Sequence, residues 1–139
     1  EADLERTVLL AFFVPGVVYL ADAVGTQTET LVIRGLSVGV GIGRVAGREL
    51  VTGLLVGILL ALVVLPLTIV LWHEPAVAVA VSLALLAACS IASVIAMALP
   101  WVFHRLGRDP AFGSGPLATV VQDLLSIVLY FAIARAVLG

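Results

Sequence analysis

Asp22 and Asp123 are acids embedded in apolar chain. Asp123 is followed by Leu-Leu-Ser-Ile-Val-Leu-Tyr-Phe, and Asp22 is preceded by Pro15-Gly-Val-Val-Tyr-Leu-Ala. A charged side chain at the centre of a bilayer costs about 2.5–3.5 kcal/mol even on the lenient insertion scale. Carboxylates kept there face a partner, a water-filled cavity or an ion. Asp22, Thr26 and Glu29 recur at i, i+4 and i+7, so a helix would place them on one face. Seven residues of helix separate Asp22 from Glu29 by about 10 Å along the axis. Thr119, Asp123, Ser126 and Tyr130 form a second polar stripe at i, i+4, i+7 and i+11.

The chemistry available is that of hard oxygen. Carboxylates, hydroxyls, the Gln27 amide and backbone carbonyls such as that of Gly25 suit Mg²⁺, Ca²⁺ or Mn²⁺. Mg²⁺ sheds water reluctantly, so a pathway for it needs few direct protein ligands. One Asp123 per chain makes a sparse site, and a two-fold dimer would set two of them across an axis. Zinc chemistry has no support. Cys89 is the only cysteine and lies in an apolar run, where it reads as a small packing residue. His73 and His104 stand alone near segment ends, without a second histidine at ligand spacing. No nucleophile–base pair is apparent, so an intramembrane enzyme is disfavoured. A structural subunit whose polar groups only pair helices is the other competing class.

These residues require membrane helices to position them. Of 139 residues, 63% are hydrophobic and 12% charged, with a mean hydropathy of +1.27, and so few charges cannot coat a water-soluble particle. The net charge of −2 offers nothing to nucleic acid. Four stretches exceed the roughly 20 apolar residues a bilayer helix needs. They run over about 4–36, 48–72, 75–104 and 112–138, which predicts an all-α, polytopic, four-helix membrane bundle, and the sparse Asp123 site adds the expectation of a dimer. Pro15-Gly16 and Gly25 are expected to interrupt the long first segment and free carbonyls to line a pore. Gly53 and Gly57 form a G-x-x-x-G that would let helices approach closely. Ser82, Ser90 and Ser93 are expected to bond back to their own helix. Trp72 and Trp101 fall near segment ends, where indoles favour the interface.

Arginine sets the orientation. The connection over 34–48, rich in glycine from Ser37 to Gly47, carries Arg34, Arg44 and Arg48. The connection over 104–108 carries Arg105 and Arg108, whereas Trp72-His-Glu-Pro75 carries none. The positive-inside rule places the two Arg-bearing connections in the cytoplasm of a plasma-membrane protein. Both chain ends then lie outside, with Arg6 and Arg135 against the trend. The chain starts at Glu1 rather than Met and shows no signal-peptide pattern. An outside start without a leader predicts a further helix upstream.

In order along the chain come Val24-Gly25-Thr26-Gln27, Thr30-Leu31, Arg34-Gly35-Leu36, Gly47-Arg48-Glu49, Asp109-Pro110-Ala111, Ser114-Gly115-Pro116, Thr119, Asp123 and Tyr130-Phe131. Together they resemble the membrane domain of the MgtE family of magnesium channels and transporters over nearly the whole chain. The resemblance implies helices two to five of the family's five, a homodimer, and a pore lined by the first and last segments. It implies that Asp123 holds hydrated Mg²⁺; by the reading of the residues themselves, Asp22, Thr119 and Gly25 are expected around that ion, with Thr26, Gln27 and Ser126 lining the path. The resemblance also implies that Asp109 and Glu49 stand toward the cytoplasmic mouth, and Glu29, five residues before Arg34, is expected with them. The family usually reads Gly-Asn-x-Gly-x-Gln where this chain reads Asp22-Ala23-Val24-Gly25-Thr26-Gln27. A pore amide is thus replaced by Ala23, beside a new acid, Asp22. That acid could serve a coupling Na⁺ or H⁺, so an ion-coupled divalent-cation exchanger is the alternative to a channel.

Overall fold

The computed structural model describes residues 2–139, with side chains from residue 4 onward; the non-Met start at Glu1 lies outside them. Four helices run up and down: α1 over Ala2–Ser37, α2 over Ile42–Trp72, α3 over Pro75–Arg105 and α4 over Pro116–Leu138. A single 3-10 turn, Pro110–Gly113, precedes α4. Strands are absent among the described residues. All four helices are long and apolar enough to cross a bilayer, where a chain must satisfy its own backbone hydrogen bonds. The all-α, four-span expectation holds.

The segment boundaries move, for local reasons. The glycine-rich region expected over residues 37–47 shrinks to residues 38–41, and α2 begins six residues earlier than expected. Gly39 adopts φ 78°, while Gly39 N–H donates to Leu36 O and Val40 N–H to Gly35 O. This paired 5→2 and 6→1 arrangement is the Schellman stop, which needs a residue in the left-handed region. It reverses the chain in four residues and leaves Arg44 and Arg48 on the first turns of α2. Gly107 (φ 67°) ends α3 in the same way, with Gly107 N–H on His104 O and Arg108 N–H on Phe103 O. The fourth segment, expected to start near Phe112, splits. Gly115 adopts φ 61° and Pro116 opens α4 at its first position.

The expected interruption of the first segment does not occur. α1 is continuous for 36 residues with Pro15 inside it. Proline lacks the N–H that would reach the Ala11 carbonyl. One residue away, the Tyr130 hydroxyl donates to the Leu10 carbonyl at 2.7 Å, so α4 supplies a hydrogen bond beside the defect.

α3 is the centre of the bundle. It packs against α1, α2, α4 and the 3-10 turn, whereas α2 and α4 do not touch each other. Its most apolar stretch is 56% buried, against 11% for α2, which separates a core helix from a lipid-facing one. Small residues make this possible: Ala78, Ala84, Ala88, Cys89, Ala92 and Ala96 of α3 are all fully buried. α2 instead exposes Leu55, Leu59, Leu62, Leu67 and Val70. The G-x-x-x-G expectation is met. A Cβ at Gly53 would collide with Ser93 Oγ, and one at Gly57 would lie 3.2 Å from Leu86 O. Gly113 seats the 3-10 turn on α3, since a Cβ there would sit 2.5 Å from the Leu99 carbonyl carbon. Cys89 is free and buried, as expected for packing. Ser90 and Ser93 bond back to Leu86 O and Cys89 O, but the buried Ser82 hydroxyl has no partner among the described residues.

The two ends differ in charge. Arg34, Arg44, Arg48, Arg105 and Arg108 lie at the end shared by the α1–α2 turn and the α3–α4 connection. The opposite end carries Arg135 and an Arg6–Glu74 ion pair of 2.9 Å, which ties the start of α1 to the α2–α3 connection. Trp72 packs against Phe12 and Phe13 at this end, and Arg105 stacks over Trp101 near the other.

Candidate functional site

α1 and α4 lie antiparallel, and their polar contacts fix the register. The buried Gln122 side chain donates to the Ala21 carbonyl at 3.0 Å. Gly25 stands one turn further along α1, where any Cβ would overlap the Gln122 amide. The glycine is therefore the reason α4 can insert a polar side chain against α1. Its carbonyl lies within an uninterrupted helix, so no broken backbone exposes it.

This register brings Asp22 and Asp123 together. Both are half-buried, and each follows directly on a partner of the Gln122–Ala21 hydrogen bond, which sets the two acids at one level of the bundle. Asp123 Oδ1 and Ser126 Oγ are buried with no hydrogen-bond partner among the described residues. An orphaned acceptor of this kind is costly unless water or an ion serves it. Thr26 and Thr119 flank the acids and remain exposed, as does Gln27. The predicted stripe on α4 thus splits: Thr119 faces out, Asp123 lies between, and Ser126 and Tyr130 turn inward. Thr119 and Tyr130 lie only about 20° apart around the helix but about 16 Å apart along it, so the difference follows position along α4 rather than face.

Depth follows from length. The 23 residues of α4 span about 35 Å, slightly more than the roughly 30 Å hydrocarbon core. Gly115 then falls near one interface, and Asp123, eight residues on, lies about 12 Å inside. Asp22 and Asp123 share that deeper level.

The three acids expected at the mouth are not gathered in one chain. Glu29 accepts the Gly115 backbone N–H at 3.0 Å, at the start of α4. Glu49 is buried between α1 and α2 and accepts from the Thr28 hydroxyl at 3.2 Å. Asp109 accepts the Ala111 N–H at 2.9 Å and caps its own 3-10 turn. Thr28 and Glu29 are neighbours, about 100° apart around α1, so one reaches toward α2 and the other toward α4. Among the described residues, no three Asp, Glu, His or Cys side chains form a metal cage.

Gln122 and Thr28 were not singled out by the sequence. The signal for Gln122 was present, because an amide one residue before a deep acid must find a partner in lipid. Thr28 carried no comparable signal, since a threonine hydroxyl can always bond to its own helix.

The chain matches the model of the MgtE family, described as a divalent cation transporter, over residues 14–133. It is 34% identical over 140 residues to the magnesium transporter MgtE of Bacillus subtilis (strain 168), covering 98% of this chain and 31% of that protein. It is 32% identical over 143 residues to the magnesium transporter MgtE of Thermus thermophilus, covering 99% of this chain and 31% of that protein. Identity to the Enterococcus faecalis magnesium transporter MgtE is 30% over 138 residues, covering 96% of this chain and 30% of that protein. The chain therefore spans less than a third of the length of the curated relatives it matches. With its four apolar spans and a match from residue 14 to 133, this chain belongs to the MgtE family of divalent cation transporters.

Proposed function

We propose that this chain forms part of a pathway carrying divalent cations, Mg²⁺ foremost, across the plasma membrane as a homodimer with α1 and α4 facing the two-fold axis. The observation that carries this reading is the Asp123 carboxylate, its Oδ1 buried without a partner among the described residues at bilayer depth, level with Asp22. Two acids per chain are too few to strip an ion of its water. Across a two-fold axis they become four, with the exposed Thr26, Thr119 and Gln27 beside them. Such a set suits a hydrated Mg²⁺ held largely through its waters. The buried Ser126 hydroxyl, without a partner among the described residues, is available to a water beside Asp123, and Gly25 contributes by admitting Gln122. Glu49 and Asp109 act on rate from the Arg-rich end, which faces the cytoplasm by the positive-inside rule. The magnesium transport named for the relatives supports the same ion.

The test is Mg²⁺ flux into liposomes containing the full-length protein, wild type beside Asp123→Asn, with Ca²⁺ and Na⁺ as competitors. The expected result is selective flux in wild type that collapses in the variant. Equal flux in both would remove Asp123 from the pathway. Asp22, the acid that replaces the family's usual pattern, favours a second reading as an ion-coupled exchanger. Flux that depends on a Na⁺ or H⁺ gradient would select it.

A further inference from the structure

A helix that begins at the mouth of a cation pathway creates a difficulty. The first turn of α4 carries unsatisfied N–H groups and the positive end of the helix dipole, equivalent to about half an elementary charge. Gly115 is the N-cap and offers no side chain to answer them. Asp109 is engaged with Ala111 of the preceding turn. Glu29 reaches across from α1 and accepts the Gly115 N–H at 3.0 Å. The cap of α4 is thus supplied in trans by a full negative charge from the neighbouring helix.

The same register that pairs Asp22 with Asp123 pairs Glu29 with Gly115. Seven residues of α1 and eight of α4 separate the two levels, or about 10–12 Å along both helices. A cation leaving the Asp22–Asp123 level toward the Arg-rich end would meet the α4 terminus next. Arg34 lies in the last turn of α1 at this end, adding to the positive field.

We propose that Glu29 is a positioning residue for conduction: its carboxylate caps α4 from α1 and reverses the sign of the field at the helix start, so that the cation route to Asp123 is not blocked by the dipole. This rests on the cation-pathway reading above. It differs from a purely structural cap in one respect, which is that the charge, and not only the hydrogen bond, matters. Glu29→Gln keeps an oxygen that can accept the Gly115 N–H and removes the charge. Glu29→Asp keeps the charge on a shorter arm.

The experiment is Mg²⁺ flux through the full-length protein in neutral-lipid liposomes at low and high ionic strength, for wild type, Glu29→Gln, Glu29→Asp and Asp123→Asn. Because the Debye length falls from about 30 Å at 0.01 M salt to about 8 Å at 0.15 M, Glu29→Gln should lose about three- to tenfold in flux at low salt and stay within about twofold of wild type at high salt. Glu29→Asp should follow the wild-type salt profile. Flux in Glu29→Gln equal to wild type at low salt would overturn the proposal. An equal loss in Glu29→Gln and Glu29→Asp at every salt concentration would also overturn it, since the carboxylate would then serve shape alone. Absence of Mg²⁺ flux in wild type would instead overturn the pathway reading itself, and Asp123→Asn distinguishes that case.

Discussion

The α2–α3 contact and the α1–α4 contact hold helices together by opposite means. Between α2 and α3, side chains are removed: Gly53 and Gly57 let Ser93, Cys89 and Leu86 come close enough that a Cβ would not fit. Between α1 and α4, polar bonds are spaced along the pair: Tyr130 to Leu10 O, Gln122 to Ala21 O, and Gly115 N–H to Glu29. In lipid, apolar surface gives little drive for helices to associate, so close packing and hydrogen bonds must do so. The first contact is made by close approach at two glycines. The second is pinned at intervals and leaves Asp22, Asp123, Thr26 and Thr119 without a protein partner for at least part of their surface. A bundle can thus be rigid on one side of α3 and keep a polar seam on the other.

That contrast can be broken at defined points. The largest effect is expected at Asp123→Asn, which should lower divalent flux by about a hundredfold, comparable to the 2.5–3.5 kcal/mol that a carboxylate costs at bilayer depth. Folding of the variant, followed by its unfolding midpoint in detergent, should be unaffected or improved. On the scaffold side, Gly53→Val should destabilise the bundle by about 3 kcal/mol through overpacking against Ser93, read as a lowered unfolding midpoint. Gln122→Leu should cost about 1 kcal/mol, because one interhelical hydrogen bond in a membrane is worth little more, with cation flux reduced through loss of the α1–α4 register. Tyr130→Phe should cost about 0.6 kcal/mol by the same measure and leave flux nearly intact. Should Gly53→Val fold normally while Gln122→Leu unfolds, the roles of the two contacts would be exchanged.

Much of the site was legible before any coordinates. Asp22, Asp123 and Glu29 stood out because lipid makes every charge conspicuous, and their chain neighbours alone fix their depth to within a turn or two. Glycine patterns were legible as packing at Gly53 and Gly57, but misleading at Gly25. There the sequence suggested a broken helix, whereas the structure uses the missing side chain to admit Gln122, 97 residues away. Pro15 misled in the same way. Its lost hydrogen bond is a local fact, and the Tyr130 hydroxyl beside it is not.

The sequence by itself determined four membrane spans, the asymmetry of arginine between the two ends, and the presence of acids within apolar spans. Each of these depends on hydropathy or backbone preference over a few neighbouring residues. Only the tertiary structure decided that α3 is the hub, that Asp22 and Asp123 share a level, that Glu49 turns to Thr28, and that Glu29 caps α4. These depend on the rotation and register of one helix against another. A long apolar helix satisfies the membrane at many rotations, and only the packed partners select one.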